Sequence, residues 1–357
     1  MGIFKEILGN NETLFKNPVA LDYDYIPKMI PFRENEQHQI ASCIKPLFQK
    51  RNGRNIFIFG EPGIGKTVAC KHILQELEDE TDEIYTIYIN CWKHNTTYKI
   101  ALEMCDILGY KFTMNKKTEE LFDIARDIVN KKAAVFVFDE IDKAEDMDFL
   151  YLALEEIYRK AVILITNSRE NIISLDARIK SRLTAEVLEF RQYNPEEMKQ
   201  ILKERSESAF YPNVWKDDAF SLITAKAFEL GDVRAGLYLM KEAANSAEDM
   251  ASKEIRLDHV KNAINKLDEF YVKEKEALGE DEKTIMDIVK NNSGKKIGEL
   301  YKIYTDGGGK YTYKTFQRRI AKLEQGKFVN IEKIEGGKEG KTTIVKNSSE
   351  TKKLTEF

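Results

Sequence analysis

The chain has 357 residues, with 56 Lys or Arg against 60 Asp or Glu and a formal net charge of −4. That length leaves room for two or three domains with real cores, and no apolar run reaches the roughly 18–20 residues that a membrane span needs. A signal-peptide core is missing, the myristoylation pattern fails because Glu6 stands where Ser or Thr is required, and the four cysteines show neither close pairing nor a His cluster. The protein is therefore expected in the cytoplasm, with reduced thiols and neither a zinc site nor a disulfide framework.

Strand-like apolar runs at 56–59, 84–89, 134–138 and 161–166 alternate with helical spacing, which predicts a parallel α/β sheet. The first run leads straight into Gly60, Glu61, Pro62, Gly63, Ile64, Gly65, Lys66 and Thr67, then a helical stretch from Thr67 and Val68 onward. This is the phosphate-binding loop pattern in its required setting, a strand before and a helix after. The glycines let successive N–H groups turn toward a phosphate, Lys66 reaches the β- and γ-phosphates, and the Thr67 hydroxyl is available to Mg²⁺. Between the second and third strands lie two helical patterns, about 97–108 and 117–131, where one crossover helix would suffice.

The third run, Val135–Phe138, ends in Asp139 and Glu140. An all-apolar strand suits burial on both faces, and ligands bind at the C-terminal ends of such strands. Asp139 is read as part of the Mg²⁺ shell and Glu140 as the group that orients or deprotonates the attacking water. Together with the loop, this predicts an ATPase using ATP/ADP and Mg²⁺.

From Asn194-Pro195 strand signals cease, and 195–272 reads as all-helical, Pro195 and the two following glutamates suiting a first turn. The charged stretch 273–282 is a boundary. Beyond it come three helical stripes: Ile285/Ile288/Val289, Ile297/Leu300/Tyr301/Tyr304 and Phe316/Ile320/Leu323. A hairpin signature at 328–331 and 342–345 completes a winged-helix arrangement. The expected division is an ATPase base over 1–193, a helical lid over 194–275 and a winged-helix domain over 276–357.

Residues 283–357 carry 17 Lys or Arg against 9 Asp or Glu, so an acidic body joins a basic tail that suits a polyanion. In a winged helix the third helix enters the major groove. A 100° step from the apolar stripe puts Lys314 and Arg318 on the outward face, flanked by Arg319 and Lys322, with Lys338 in the wing. A solvated face, or a winged helix that binds protein, is the alternative.

Taken together, residues from about 18 to 346 resemble the AAA+ ATPases, and within them the archaeal origin-recognition proteins that initiate replication and load the helicase. Several further segments carry the resemblance. Ile26-Pro27 through Arg33 and Glu36 looks like the segment that borders the adenine. Asn167 stands where the family senses the γ-phosphate. The stretch 175–183 is similar to the arginine-finger segment, so Arg182 would reach a neighbouring subunit's nucleotide; an ion-paired surface arginine is the alternative. Gly231–Ala235 resembles the second sensor, with Arg234 crossing from lid to nucleotide. The extra helix near 97–108 sits where initiators carry a DNA-touching insertion, but its apolar residues favour packing.

The resemblance implies a nucleoid-associated replication initiator with slow hydrolysis, binding origin duplex DNA, the replicative helicase and further initiator subunits, with no membrane role. Two other functions fit the residues: an AAA+ ATPase whose winged helix binds a protein partner, and a DNA-binding regulator in which nucleotide is structural.

Overall fold

A computed structural model of the chain describes residues 13–168, 176–276, 280–325, 328–334 and 342–347. It separates into two compact units, Met1–Ile264 and Asn265–Phe357.

In the first unit five strands form one sheet: β1 (Ile56–Phe59), β2 (Ile84–Asn90), β3 (Ala133–Asp139), β4 (Lys160–Ile165) and β5 (Glu186–Glu189), in the order β2-β3-β4-β1-β5. Every pairing is parallel. Successive residues of a strand point to opposite faces, and here both faces are covered. Ile56, Ile58, Val135, Val137, Ile163 and Ile165 pack under α1 (Glu34–Ile44) and α2 (Lys66–Glu80). Phe57, Phe136, Phe138, Val162 and Leu164 pack under α3 (Thr97–Ile107), α4 (Thr118–Val129), α5 (Asp148–Glu156) and α6 (Ala177–Leu183). This is why β1 and β3 read as unbroken apolar runs: all their residues are buried. Each such Ile or Phe contributes roughly 1.5–3 kcal/mol by leaving water.

Strand β5 was absent from the sequence reading. Glu186-Val-Leu-Glu is short and buries only Leu188, because it is the sheet edge and its alternate residues face solvent. The strand order matters for function. β4 lies between β1 and β3, so the C-terminal ends of all three strands are neighbours, and whatever follows each of them converges.

Three helices and the start of a fourth complete the unit: α7 (Pro195–Ala209), α8 (Asp217–Leu230), α9 (Val233–Asp249) and α10 (Leu257–Glu276). Asn194 and Glu197 cap α7 reciprocally, each side chain accepting from the other's backbone N–H. The segment from Thr13 to Tyr25, assigned by sequence to the base, packs instead on these lid helices. Lys16 and Asn17 donate to Ala209 O, and Arg205 donates to the carbonyls of Ala20 and Tyr25. The division between the compact units falls inside α10, earlier than the charged stretch at 273–282 where composition put it.

The second unit holds α11 (Glu280–Asn291), β6 (Lys295–Lys296), α12 (Ile297–Asp306), α13 (Tyr313–Gln325), β7 (Val329–Ile334) and β8 (Thr342–Asn347). The three strands pair antiparallel in the order β6-β8-β7. The anticipated stripes meet as its core: Ile285 and Val289, Leu300 and Tyr304, and Phe316, Ile320 and Leu323, closed by Phe328, Val329 and Val345. Three helices and a hairpin on one core make a winged helix. No helix of the described residues is long and apolar enough to cross a membrane.

Candidate functional site

A cavity of about 880 Å³ opens at the C-terminal ends of β1, β4 and β3. Pro62, Gly63, Gly65, Lys66, Thr67 and Val68 line it from the loop, Asp139 and Glu140 from the end of β3, Asn167 from beyond β4, and Arg234 from the lid. A further wall comes from Tyr23 to Pro31, so the segment likened to the adenine border does line the cavity.

The loop must be glycine where it turns. Gly63 has φ +75°, and a Cβ there would sit 2.0 Å from the Asp232 carboxylate; Gly65 has φ +92°, and its Cβ would meet Tyr193 Oη at 2.9 Å. Side-chain-bearing residues pay for that backbone region and would also collide. Lys66 opens α2 and is buried, with Nζ donating to Gly60 O at 2.6 Å, Glu61 O at 2.8 Å and Asn167 Oδ1 at 3.0 Å. Burial pulls its ammonium down to about 8, against the opposing pull of Asp139 and Glu61. Ile64 is buried in the core and Glu61 is exposed, so these two offer the site backbone rather than side chains.

Asp139 is buried and fully engaged. Its Oδ2 accepts from Thr67 Oγ1 at 2.6 Å and from Tyr88 Oη at 2.7 Å, and its Oδ1 accepts from Glu140 N at 2.9 Å. Glu140 has φ +53°, a left-handed conformation that costs a non-glycine residue about 1–2 kcal/mol. The turn aims its carboxylate into the cavity. Burial first, then the charges of Asp139 and Asp142, raise its pKa, the direction that suits a proton acceptor. An all-oxygen pair, one hydroxyl touching one carboxylate at the mouth of a phosphate-shaped loop, fits Mg²⁺, which takes few protein ligands and fills the rest with phosphate and water.

The lid meets the loop directly: Val233 N donates to Gly63 O at 3.2 Å. Arg234 sits in the first turn of α9, where a cation opposes the helix dipole. Asp232 compensates by accepting from Arg234 N, Nε and Nη2 at 2.9, 3.1 and 2.8 Å.

One expectation changes here. Arg33 does not line the cavity. It is fully buried beneath the loop, donating to Ile64 O, Arg191 O, Tyr193 Oη and Glu36, with its guanidinium over the Tyr193 ring at 4.1 Å. Protein surrounds it on every side, so it props the loop against the start of the lid from outside the cavity. Arg182 also lies away from this cavity; it pairs with Glu155 at 2.5 Å and stacks on Tyr151.

Of the cations anticipated as DNA contacts, the four on α13 divide into two pairs. Lys314 and Arg318 are exposed and have no ion pair among the described residues. Arg319 and Lys322 differ: both donate to Glu282 Oε1, at 2.5 and 2.8 Å, and Glu282 is buried. Their charge is engaged with Glu282, although the Lys322 side chain stays 61% exposed and that of Arg319 36%. Lys338 lies outside the described residues.

Sequence reading missed Tyr88, Tyr193 and Asp232. Asp232 falls within the second-sensor segment but was given no role there; Tyr88 and Tyr193 belong to no motif and matter because packing brings their hydroxyls within reach of Asp139 and of Arg33 beneath the loop. The alternation of β2 marked Tyr88 only as a strand residue.

A family model described as an AAA domain matches residues 49–173, and one described as the Cdc6 AAA+ ATPase-type lid domain matches 199–265. The chain is 30% identical over 369 residues to ORC1-type DNA replication protein 1 of Sulfurisphaera tokodaii, covering 96% of this chain and 93% of that protein. To its counterpart from Archaeoglobus fulgidus it is 29% identical, covering 99% and 92%. Among solved structures, the Aeropyrum pernix Orc1 protein in complex with DNA superposes with a TM-score of 0.69 at 25% identity, covering 95% of both chains. The Aeropyrum pernix ORC2 protein superposes at 0.71 with 18% identity, covering 93% and 94%.

Proposed function

This chain belongs to the ORC1-type DNA replication proteins, a family built on an AAA+ ATPase, and on that premise we propose that it grips origin duplex DNA while slowly hydrolysed ATP sets the angle of its lid. Lys66 and the inward N–H groups of 60–67 hold the phosphates. Thr67 and Asp139 would hold Mg²⁺, which would supply neutralisation of phosphate charge. Glu140 orients water and accepts its proton, and Asn167, already bonded to Lys66, fixes the water on the γ-phosphate side.

Arg234 is the lid's sensor. Its guanidinium is shared between Asp232 and whatever anion occupies the cavity, so a γ-phosphate draws it inward and ADP releases it to Asp232. Arg182 acts on the nucleotide of a neighbouring initiator subunit, leaving Glu155 when that phosphate arrives. Lys314 and Arg318 on α13 meet DNA phosphates, and the ATP-bound form recruits the replicative helicase.

The observation that carries this reading is one cavity with a phosphate loop, a buried acid, a poised carboxylate and a lid arginine, in a chain with a winged helix. The test is titration of labelled origin and random duplexes at two salt concentrations, with ATP and with ADP. Salt-steep binding that favours origin sequence and changes with nucleotide is the expected result. No duplex binding even at low salt overturns it in favour of a protein-docking winged helix.

A further inference from the structure

Helix α13 presents four cations by sequence spacing, yet two of them are already engaged. Glu282, near the start of α11, has a side chain only 4% exposed, and its Oε1 accepts from both Arg319 Nη1 and Lys322 Nζ. A carboxylate taken that far out of water must keep its counter-charges, since losing them leaves an uncompensated buried ion. Arg319 is held a second way. Its guanidinium lies 5.5 Å from the centre of the Tyr311 ring, and Tyr311 Oη donates to Asp281 at 2.5 Å. The acidic pair Asp281-Glu282 thus fastens one edge of α13 and the residues before it, while Lys314 and Arg318 stay exposed.

We infer that Glu282 decides which cations of α13 reach a nucleic-acid phosphate: it holds Arg319 and Lys322 in ion pairs on the flank of the helix and leaves contact to Lys314 and Arg318. This rests on the reading of α13 as the DNA-facing helix. The physical consequence is a limit on non-specific grip. Sequence-independent affinity grows with each phosphate neutralised, whereas discrimination comes from base contacts, so withholding two cations favours discrimination over bulk attraction.

The test uses the full chain with ATP, a random-sequence duplex and an origin duplex, and anisotropy titrations from about 50 to about 300 mM KCl. Each phosphate contact contributes about 0.9 to the slope of log affinity against log salt. Lys314→Gln with Arg318→Gln should flatten the slope by about 1.8. The triple variant Glu282→Gln, Arg319→Gln, Lys322→Gln removes the buried carboxylate together with its two cations and leaves amides that can still bond one another, so no uncompensated buried charge remains. It should leave the slope at the wild-type value.

Glu282→Gln alone releases both cations. It should steepen the slope by up to about 1.8 and shrink the preference for origin over random duplex. A triple variant that flattens the slope as much as the first pair would show that Arg319 and Lys322 already touch phosphate, and the inference falls. So does an unchanged slope in Glu282→Gln. If the Lys314/Arg318 pair leaves the slope unaltered while binding persists, the DNA-facing reading of α13 is itself wrong. That outcome is read in a different variant and takes the inference with it.

Discussion

The nucleotide cavity and the α13 face both gather cations, but they are built in opposite ways. In the cavity the cation is buried and its hydrogen-bond partners are neutral: Lys66 faces two carbonyls and an amide, with charge left for an incoming phosphate. On α13 two of four cations are already ion-paired to a buried carboxylate before any ligand arrives. The lesson is that a cation's count or spacing says little about its availability. What sits opposite, and how dry that place is, decides whether it binds a ligand or holds the fold.

Glu140→Gln would sharpen the cavity side of this contrast most. It keeps the left-handed turn and the shape but removes the proton acceptor. Hydrolysis should fall by roughly a hundred- to ten-thousand-fold with ATP affinity retained, read by single-turnover hydrolysis beside equilibrium binding. Normal turnover in that variant ends the role assigned to Glu140.

Arg33→Met asks whether a buried cation with no ligand to meet is purely structural. It leaves the carbonyls of Ile64 and Arg191 without a donor, so the unit should lose about 3–5 kcal/mol in denaturant unfolding. A direct nucleotide contact would instead show as lost affinity at unchanged stability.

Lys66→Ala removes the cation that the loop itself holds in the cavity. ATP and ADP affinity should drop about 10- to 100-fold, as expected for a hydrogen bond to a charged group. Intact affinity in a fluorescent-nucleotide titration would overturn the loop assignment.

The smallest effect is in pH. Free Lys66 has its ammonium lowered to about 8, and phosphate favours the charged form, so the bound value is higher. Affinity is therefore full below about 8 and weakens as pH rises through it, by up to about tenfold toward pH 9, with proton uptake on binding. Calorimetry in buffers of different ionisation enthalpy reads that uptake directly; no uptake near pH 8 removes the distinction between an available and an ion-paired cation.

Much of the site could be read in advance because its chemistry imposes local order. A loop that must wrap a phosphate needs glycines, a lysine and a hydroxyl at set spacing, and a strand buried on both faces must be apolar until it ends in Asp139. Arg33 was misread because it occupies the right stretch of chain, while the side chain turns under the loop to Tyr193, 160 residues away. Strand β5 was missed because an edge strand needs only one buried residue. Tyr88 left no trace, since its hydroxyl matters only once β2 lies beside β3 and Tyr88 Oη reaches Asp139.

From residues alone came the phosphate loop, the acidic strand end, the parallel sheet, the helical lid and the three stripes of the winged-helix core, all products of short-range spacing and periodicity. Tertiary structure alone decided which charges remain available. Periodicity specifies the face of a helix on which Arg319 and Lys322 lie, but their partner is 37 and 40 residues away on another helix. Coulomb attraction and desolvation depend on distance through space and on burial, and neither is written in the order of the chain.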